Sequence, residues 1–182
     1  SGEDGFELSV ENSKALRLAS ILLADTDLKI IGLGARDSLR LEAGLYLYGN
    51  ELTEQTTPIE AGIPWVIHKK RKIMDSNCND FLGSKTIYEQ LKNPPNTIIT
   101  GVIPDERAPM RKGTLLYSEL NNDRIGKVTS GGFSPCLKKP ISIAIVSKEH
   151  SSPGTKILAE VRGKKMSATV NNLPFIPTNF KR

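Results

Sequence analysis

The chain has 182 residues, which is enough to bury one domain-sized hydrophobic core or two smaller ones. Its composition, 38% hydrophobic and 25% charged, is typical of a globular protein and excludes an intrinsically disordered chain. The formal net charge of +5 indicates a mildly basic surface, which favours an acidic partner without saying which one.

The first part of the chain combines a strand pattern with a helix pattern. Glu7–Val10 alternates in the way that half-buried strands do. Apolar residues at helical spacing then predict a helix over Lys14–Ala24, with Asn12 or Ser13 as its N-cap. Because Arg17 interrupts this apolar stretch, we predict no membrane-spanning segment.

A second strand and a second helix are predicted directly afterwards. Leu28–Ile31 has the composition of a short strand, and Gly32 ends it. Arg36–Ala43 is predicted to be a helix, with Gly44 in the position where a left-handed residue commonly closes a helix. This part of the chain is therefore of mixed α/β character.

A polar stretch, Asp75–Asp80, marks the expected boundary between two domains. We place a mixed α/β domain at residues 1–78 and a β-rich domain at residues 79–182. A short helix over Ser84–Lys92 is predicted to open the second domain, since two consecutive prolines follow it and stop it.

The rest of the second domain carries short β-prone segments separated by Gly, Pro, Asn or Ser. Their spacing favours an antiparallel β-barrel or a jelly roll, so the predicted fold class is α+β. Residues 162–164 have the composition of a hairpin tip. The six predicted strands are Thr97–Val102, Thr114–Tyr117, Gly126–Thr129, Ile141–Val146, Lys156–Val161 and Met166–Val170.

Cysteine and histidine are too few to support a metal site. Cys78 and Cys136 lie far apart and outside any CxxC arrangement, which argues against a zinc site or a disulfide framework and points to a reducing compartment. With only His68 and His150 present, a histidine metal site or a Ser-His-Asp triad is unsupported. We therefore predict no metal.

The basic run Lys69–Lys72 has two interpretations. It could bind nucleic acid or serve as a nuclear-targeting signal, or it could be a solvated loop. The second interpretation is favoured, because no aromatic residues lie nearby for base stacking and the overall charge is modest.

Six short segments stand out together: Gly2–Glu7, Gly34–Asn50, Thr56–Gly62, Ala108–Arg111, Val128–Gly131 and Pro174–Asn179. In this order they resemble the second half of the aminomethyltransferase family, the T-proteins of the glycine cleavage system, and the resemblance extends along the whole chain. Since members of that family are longer, we expect this chain to be a fragment without the family's N-terminal half.

The resemblance implies an enzyme that moves the methylene carbon of aminomethyl-dihydrolipoyl H-protein to tetrahydrofolate and releases ammonia. It implies tetrahydrofolate as substrate, the acidic H-protein as partner, and a mitochondrial matrix location, or a cytoplasmic one for a bacterial protein. Lys69–Lys72 and Lys138–Lys139 are then candidates for the H-protein docking surface. The family's catalytic Asp lies in the N-terminal half, so we expect no catalytic residue in this chain, and a fragment that is inactive alone.

The same resemblance implies two folate-binding residues. A pterin presents two neighbouring donors on one edge, and the two oxygens of a carboxylate match them, a role that falls on Glu7. The family's folate-contacting Arg falls on Arg36, whose alternative is a surface pair with Asp37 or Glu42. Arg40 and Glu42 are expected to be structural and to pair along the helix surface.

The aromatic residues supply the remaining candidates. Tyr48 or Tyr46 is expected to line the folate pocket, with core packing the role of the other, and Trp65 is expected to bury its ring. The family has an aromatic residue, usually Tyr, after a PTN-like tripeptide, and here Phe180 occupies that position. A ring is therefore retained, whereas a hydroxyl hydrogen bond is not.

Two alternatives remain open at this point. One is another folate-binding relative, such as a demethylase, the folate domain of a dimethylglycine or sarcosine dehydrogenase, or a relative used in iron–sulfur cluster assembly. Those relatives usually diverge in the segments at residues 35–44 and 56–58, which here follow the aminomethyltransferase pattern. The other alternative is a basic binding module with no enzymatic role.

Overall fold

The computed structural model of the chain describes residues 1–71, 81–178 and 180. Three α-helices precede six β-strands, and three single-turn 3-10 helices lie between longer elements. The helices are α1 (Asn12–Leu23), α2 (Leu33–Glu42) and α3 (Ser84–Lys92). The strands are β1 (Thr97–Pro104), β2 (Leu115–Ser118), β3 (Arg124–Ser134), β4 (Lys139–Ser147), β5 (Lys156–Val161) and β6 (Lys164–Asn171).

The six strands form one closed antiparallel barrel in the order β1-β4-β3-β2-β5-β6, and β6 pairs with β1 to close it. All six strands predicted from the sequence are present, and the α+β fold class is confirmed. The predicted hairpin tip is also confirmed, because Arg162 and Gly163 both have positive φ between the paired residues Val161 and Lys164. Two central residues with positive φ match the right-handed twist of the flanking strands.

The barrel interior is a closed apolar core. Its side chains come from all six strands and from Met110, which precedes β2. Because each strand alternates between the two faces of the sheet, every second residue points inward. The buried members are Val102, Met110, Leu116, Ile125, Val128, Ala144, Val146, Ile157, Ala159, Ala168 and Val170.

One outer wall of the barrel is also buried, because α2 packs against β3 and β4. Leu41 of α2 and Ala61 join Ile99, Ile141 and Ile143 in a second apolar cluster. A strand that is covered on both faces reads as a continuous apolar run instead of an alternating one. This double burial explains why five successive residues of β4, from Pro140 to Ala144, are buried and mostly apolar, with Ser142 as the one polar member.

The two helices predicted in the N-terminal part are present, but each begins two or three residues earlier than predicted and ends one residue earlier. α1 begins at Asn12, and its N-cap is Glu11 without a side-chain hydrogen bond, so the expected cap at Asn12 or Ser13 is wrong. α2 begins three residues before the predicted start and ends at Glu42 with Ala43 as its C-cap, and Gly44 follows with the left-handed φ of +66° expected there. The predicted bounds of α3 are those observed.

Two strands predicted in the N-terminal part are absent. Glu7–Val10 and Leu28–Ile31 carry no strand pairing, and all eight of their residues are exposed. A strand is stable only beside a partner strand, since its backbone groups must be paired. The described chain supplies no such partner at either segment.

The segment from Phe6 to Leu33 exposes large apolar side chains to an unusual degree. α1 has no buried residue. Phe6 is 97% exposed and Leu16 is 82% exposed. The other exposed members are Leu8, Val10, Ile21, Leu22, Leu23, Leu28, Ile30, Ile31 and Leu33.

The expected domain boundary at residues 78 and 79 lies outside the described residues, as do Cys78 and Lys72. Within the described ranges, no helix has both the length and the apolar character that crossing a membrane requires.

Candidate functional site

A pocket of about 660 Å³ opens beside the first turns of α2. Its wall is formed by α2 on one side and by the loop that follows Gly44 on the other. A helix places residues three and four apart on one face, which brings the polar side chains of its first half to the same opening. The polar and aromatic lining residues are Ser1, Arg36, Asp37, Arg40, Tyr46 and Asn50.

Arg40 is the anchored cation of this pocket. Its guanidinium donates to Asp37 on the same helix, with Nη2···Oδ1 at 2.6 Å and Nε···Oδ1 at 2.7 Å. It also donates to Glu51 Oε2 at 3.1 Å and to Ser130 Oγ at 3.0 Å. The five donors of a guanidinium lie in a fixed plane, so these contacts hold α2, the following loop and β3 in one arrangement.

Glu51 is fully buried behind the pocket. Its Oε2 accepts from Arg40 and from the backbone N–H of Leu47 at 3.0 Å, whereas its Oε1 has no hydrogen-bond partner in the described chain. Burial, and secondarily the negative charge of Glu51, raises the pKa of the Tyr46 hydroxyl. Tyr46 therefore stays protonated and available as a hydrogen-bond donor at the pocket wall.

Ser130 extends this network across the barrel surface. Its hydroxyl accepts from Arg40 and also from the Asn50 side-chain amide at 3.0 Å. Lys112 in turn donates to Asn50 Oδ1 at 2.6 Å and to Gly49 O at 2.8 Å. The segment Val128–Gly131, notable in the sequence, thus contributes the hydroxyl that joins the pocket loop to the barrel.

Glu42 departs from the sequence-based expectation of a surface pair. It is buried at the end of α2, where Oε1 accepts from Ser134 Oγ at 2.5 Å and from the Cys136 N–H at 3.0 Å. Burial alone would raise the pKa of Glu42, but these hydrogen bonds outweigh it and lower the pKa. The backbone O of Glu42 accepts from the N–H groups of Phe175 and Ile176, so the C-terminal segment caps α2.

Arg40 forms the helix-surface pair with Asp37 and not with Glu42, so that part of the expectation is wrong. Arg36 pairs with neither Asp37 nor Glu42. Its side chain is exposed at the pocket, and its guanidinium makes no hydrogen bond or ion pair within the described ranges. A guanidinium with five donors is consequently available to a ligand.

The other predicted site residues lie apart from this pocket. Tyr48 is 68% exposed and does not line it, whereas half-buried Tyr46 does. Glu7 is exposed and Phe180 is 37% exposed, and neither lines the pocket. Trp65 is 76% exposed, so the expectation that its ring is buried is wrong.

Four of the basic candidates, Lys69, Arg71, Lys138 and Lys139, are exposed. Lys69–Arg71 forms a single 3-10 turn. Lys138 has a positive φ of 54° in the turn that leads into Lys139, the first residue of β4. Across residues 1–71, 81–178 and 180, no group of three or more His, Cys, Asp and Glu side chains is placed to hold a metal ion.

Two family models match the chain, one before residue 72 and the other after residue 97. Residues 98–176 match the glycine cleavage T-protein C-terminal barrel domain, which is the class of barrel described above. Residues 1–71 match the GCVT N-terminal domain. With both models matched in order, the chain belongs to the glycine cleavage T-protein family of aminomethyltransferases.

Named relatives support the same family membership. The chain is 44% identical over 190 residues to a mitochondrial aminomethyltransferase of Dictyostelium discoideum and 45% identical over 179 residues to the human one. These alignments cover 100% and 98% of this chain but 45% and 43% of the relatives. The crystal structure of the glycine cleavage system aminomethyltransferase T from Bartonella henselae superimposes with a TM-score of 0.84 at 39% identity, covering 93% of this chain and 46% of that one. The chain thus spans about half the length of the curated relatives it matches.

Proposed function

We propose that the complete protein transfers the methylene carbon of aminomethyl-dihydrolipoyl H-protein to tetrahydrofolate and releases ammonia. The observation that carries this proposal is the identity of 44–45%, along essentially the whole chain, to proteins named aminomethyltransferase. In this reaction the protein's main task is positioning, because two folate nitrogens must meet one carbon away from water.

The pocket beside α2 is the proposed place for part of the folate. Its volume of about 660 Å³ lies within the range of small-ligand sites. Arg36 offers unused guanidinium donors to a carbonyl or carboxylate of the ligand. Arg40, by contrast, is fully engaged with Asp37, Glu51 and Ser130, and we assign it to holding the pocket wall.

Glu7 is the proposed partner of the pterin edge. Its carboxylate makes no hydrogen bond or ion pair within the described chain, so both oxygens are free to accept. Two parallel hydrogen bonds from neighbouring donors to one carboxylate are charge-assisted and directional. Phe180 and, with a weaker case, Tyr48 are the proposed aromatic contacts. Both are exposed in the chain as described.

The catalytic carboxylate is proposed to belong to the half of the family fold that this chain does not include. The exposed apolar side chains between Phe6 and Leu33 support this proposal, because a folded protein seldom leaves so many unpartnered. On this basis the 182 residues alone give no aminomethyl transfer and only weak folate binding. We also propose that the junction of the two matched domains lies near residue 78.

The experiment that tests the folate assignment replaces Glu7 with Gln in the full-length protein. Gln keeps the shape but turns one acceptor into a donor that faces the pterin's own donors. We expect tetrahydrofolate affinity to fall by about 2–4 kcal/mol, measured by calorimetric titration. The matched control is Glu11→Gln, because Glu11 pairs only with exposed Lys14 on the surface of α1. Equal affinity for Glu7→Gln and wild type would remove Glu7 from the site.

The H-protein is proposed to dock on basic residues, including the run at residues 69–72 and the pair Lys138–Lys139. Charge reversal at Lys138 and Lys139 should weaken H-protein binding and reduce its salt dependence. Binding with an unchanged salt dependence would place the docking surface elsewhere. We further propose a mitochondrial matrix location, because three similar relatives are named as mitochondrial aminomethyltransferases. For a bacterial protein the location would be cytoplasmic.

A further inference from the structure

A second pocket lies at one end of the barrel, on a different part of the surface from the pocket beside α2. Its volume is about 730 Å³, and none of its lining residues is shared with the pocket at α2. One wall is the segment that joins β1 to β2, and the other is the hairpin between β5 and β6. The proposed reaction assigns no role to it.

The charges around this pocket are predominantly positive. Four basic side chains and two carboxylates line it. Glu160 is already engaged, since it accepts from the Tyr117 hydroxyl at 2.7 Å, and Lys165 donates to Asn122 and lies 3.7 Å above the Tyr117 ring. The remaining cations, Arg111, Arg162 and Lys164, have no hydrogen-bond or ion-pair partner among the described residues.

The backbone that presents Arg111 is held rigidly. The preceding residue, Met110, is fully buried in the barrel core, and its carbonyl accepts from Ser142 Oγ at 3.1 Å. Gly131 permits this approach, because a Cβ at that position would lie 1.8 Å from Met110 O. The Arg111 carbonyl accepts from the Thr114 N–H at 3.0 Å, which fixes the turn that follows.

The opposite wall is equally well defined. Arg162 and Gly163 form a two-residue turn with positive φ at both positions, which sets the direction of Lys164 at the start of β6. Between the two walls, the floor is apolar and consists of Ala108, Pro109, Val161 and Met166. A cationic rim over an apolar floor matches a ligand with an organic body and more than one anionic oxygen.

We propose that this pocket, which we call the rim pocket, binds a small organic dianion. Its anionic oxygens contact Arg111 and Lys164 from opposite walls, and its apolar body covers the floor between them. The chemistry of the site suits carboxylate and phosphate groups alike, because guanidinium and ammonium groups bind both. The proposal does not depend on the proposed aminomethyl transfer.

The test titrates the full-length protein with three probes and follows backbone amide shifts by NMR. Phthalate offers two carboxylates on a ring, phenyl phosphate offers one phosphate on a ring, and inorganic phosphate has no organic body. We expect saturable shifts confined to residues 106–114 and 160–166. Binding of phthalate or phenyl phosphate should be tighter than binding of inorganic phosphate, and the better of the two ring compounds identifies the preferred anionic group.

Variants that remove one charge at a time make the test specific. Arg111→Gln and Lys164→Gln should each weaken the better ring compound by about tenfold, since each removes one charge-assisted contact. Lys148→Gln is the matched control, because Lys148 is exposed and does not line the rim pocket. A folded Arg111→Gln protein is recognised by an otherwise unchanged amide spectrum.

Three results would overturn the proposal. The first is the absence of saturable shifts with every probe. The second is an equal loss of binding in Lys148→Gln and in the two pocket variants, which would mean unspecific attraction to a basic protein. The third is inorganic phosphate binding as tightly as the ring compounds, which would leave the apolar floor without a role.

Discussion

The strands of the barrel and the segment from Phe6 to Leu33 are both rich in apolar residues but use them in opposite ways. In the barrel, β6 closes onto β1, and every inward side chain meets another from the same chain. Between Phe6 and Leu33, eleven large apolar side chains are exposed instead, and the only regular element is α1 with no buried residue. The difference shows that apolar content alone does not make a core. A closed arrangement of partners is also required.

The largest expected effect comes from crowding the barrel wall. Gly131→Val should destabilise the chain by about 4 kcal/mol or more, because even the Cβ would collide with the backbone O of Met110 and rigid backbone cannot give way cheaply. Urea unfolding measures the change. Gly132→Ala is the neighbouring control, and it should cost about 1 kcal/mol, since its Cβ meets only the end of the Leu41 side chain at 3.3 Å. If both variants lost similar unfolding free energy, the backbone around Gly131 would be able to shift without a large cost.

The next effect concerns the attachment of α2 to the barrel. Arg40→Ala should cost about 3–5 kcal/mol, because it leaves the carboxylate of Glu51 buried without a countercharge. Asp37→Ala should cost at most about 1 kcal/mol, since Asp37 is half exposed and its pair with Arg40 is screened by water. Chemical denaturation compares the two. If Asp37→Ala lowered the free energy of unfolding as much as Arg40→Ala, the buried pair of Arg40 with Glu51 would contribute no more than the exposed pair with Asp37.

A smaller, pH-dependent effect is expected at Glu42. Its lowered pKa means that the ionised form stabilises the folded chain at neutral pH, and that this contribution is lost as the pH falls through the folded-state pKa. Glu42→Gln should therefore be less stable than wild type by about 1–3 kcal/mol at neutral pH, and the difference should shrink in acid. Unfolding curves over a pH series provide the measurement. If the difference in unfolding free energy between wild type and Glu42→Gln stayed constant with pH, it would contradict the lowered pKa of Glu42.

The smallest effect is expected in the segment from Phe6 to Leu33, where the same substitution can be compared directly with one in the barrel. Leu16→Ala should change the unfolding free energy of this chain by no more than about 0.5 kcal/mol, because Leu16 has no buried contacts to lose. Leu116→Ala, the same substitution inside the barrel, should cost about 2–5 kcal/mol. In the full-length protein, Leu16→Ala should become costly if the remaining half covers α1. A Leu16→Ala cost near that of Leu116→Ala in this chain alone would show that α1 is already packed.

The sequence was sufficient for the barrel because its signals are local. A few consecutive residues are enough to recognise the alternation of a strand, the turn residues between strands or the Arg162–Gly163 turn. All six strands were therefore predicted. The same kind of local pattern led to the wrong prediction of strands at Glu7–Val10 and Leu28–Ile31, because the pattern within one segment carries no information on whether a partner strand lies beside it. Trp65 was misjudged for the same reason, since a large ring is buried only where another surface covers it.

The candidate site was less predictable because its contacts are distant in sequence. Arg40 reaches Ser130 across 90 positions and Glu42 reaches Ser134 across 92, so no spacing rule on α2 could reveal either bond. Glu51 gave no sign of burial in the sequence, since an acidic residue in a loop is ordinarily solvated. Arg36 was named and lines the pocket, but its folate-binding role remains a prediction, as do the roles of Glu7, Tyr48 and Phe180.

The cap that Phe175 and Ile176 place on the end of α2 also bears on how the protein is made. The N–H groups of these two residues reach the backbone O of Glu42, so a helix translated early is completed by residues translated more than 130 positions later. During synthesis α2 must wait, with Leu41 uncovered, until the barrel strands and then this tail leave the ribosome. Since uncovered apolar surface invites wrong contacts, a chain that ends before Phe175 is expected to aggregate more readily than one that carries this tail.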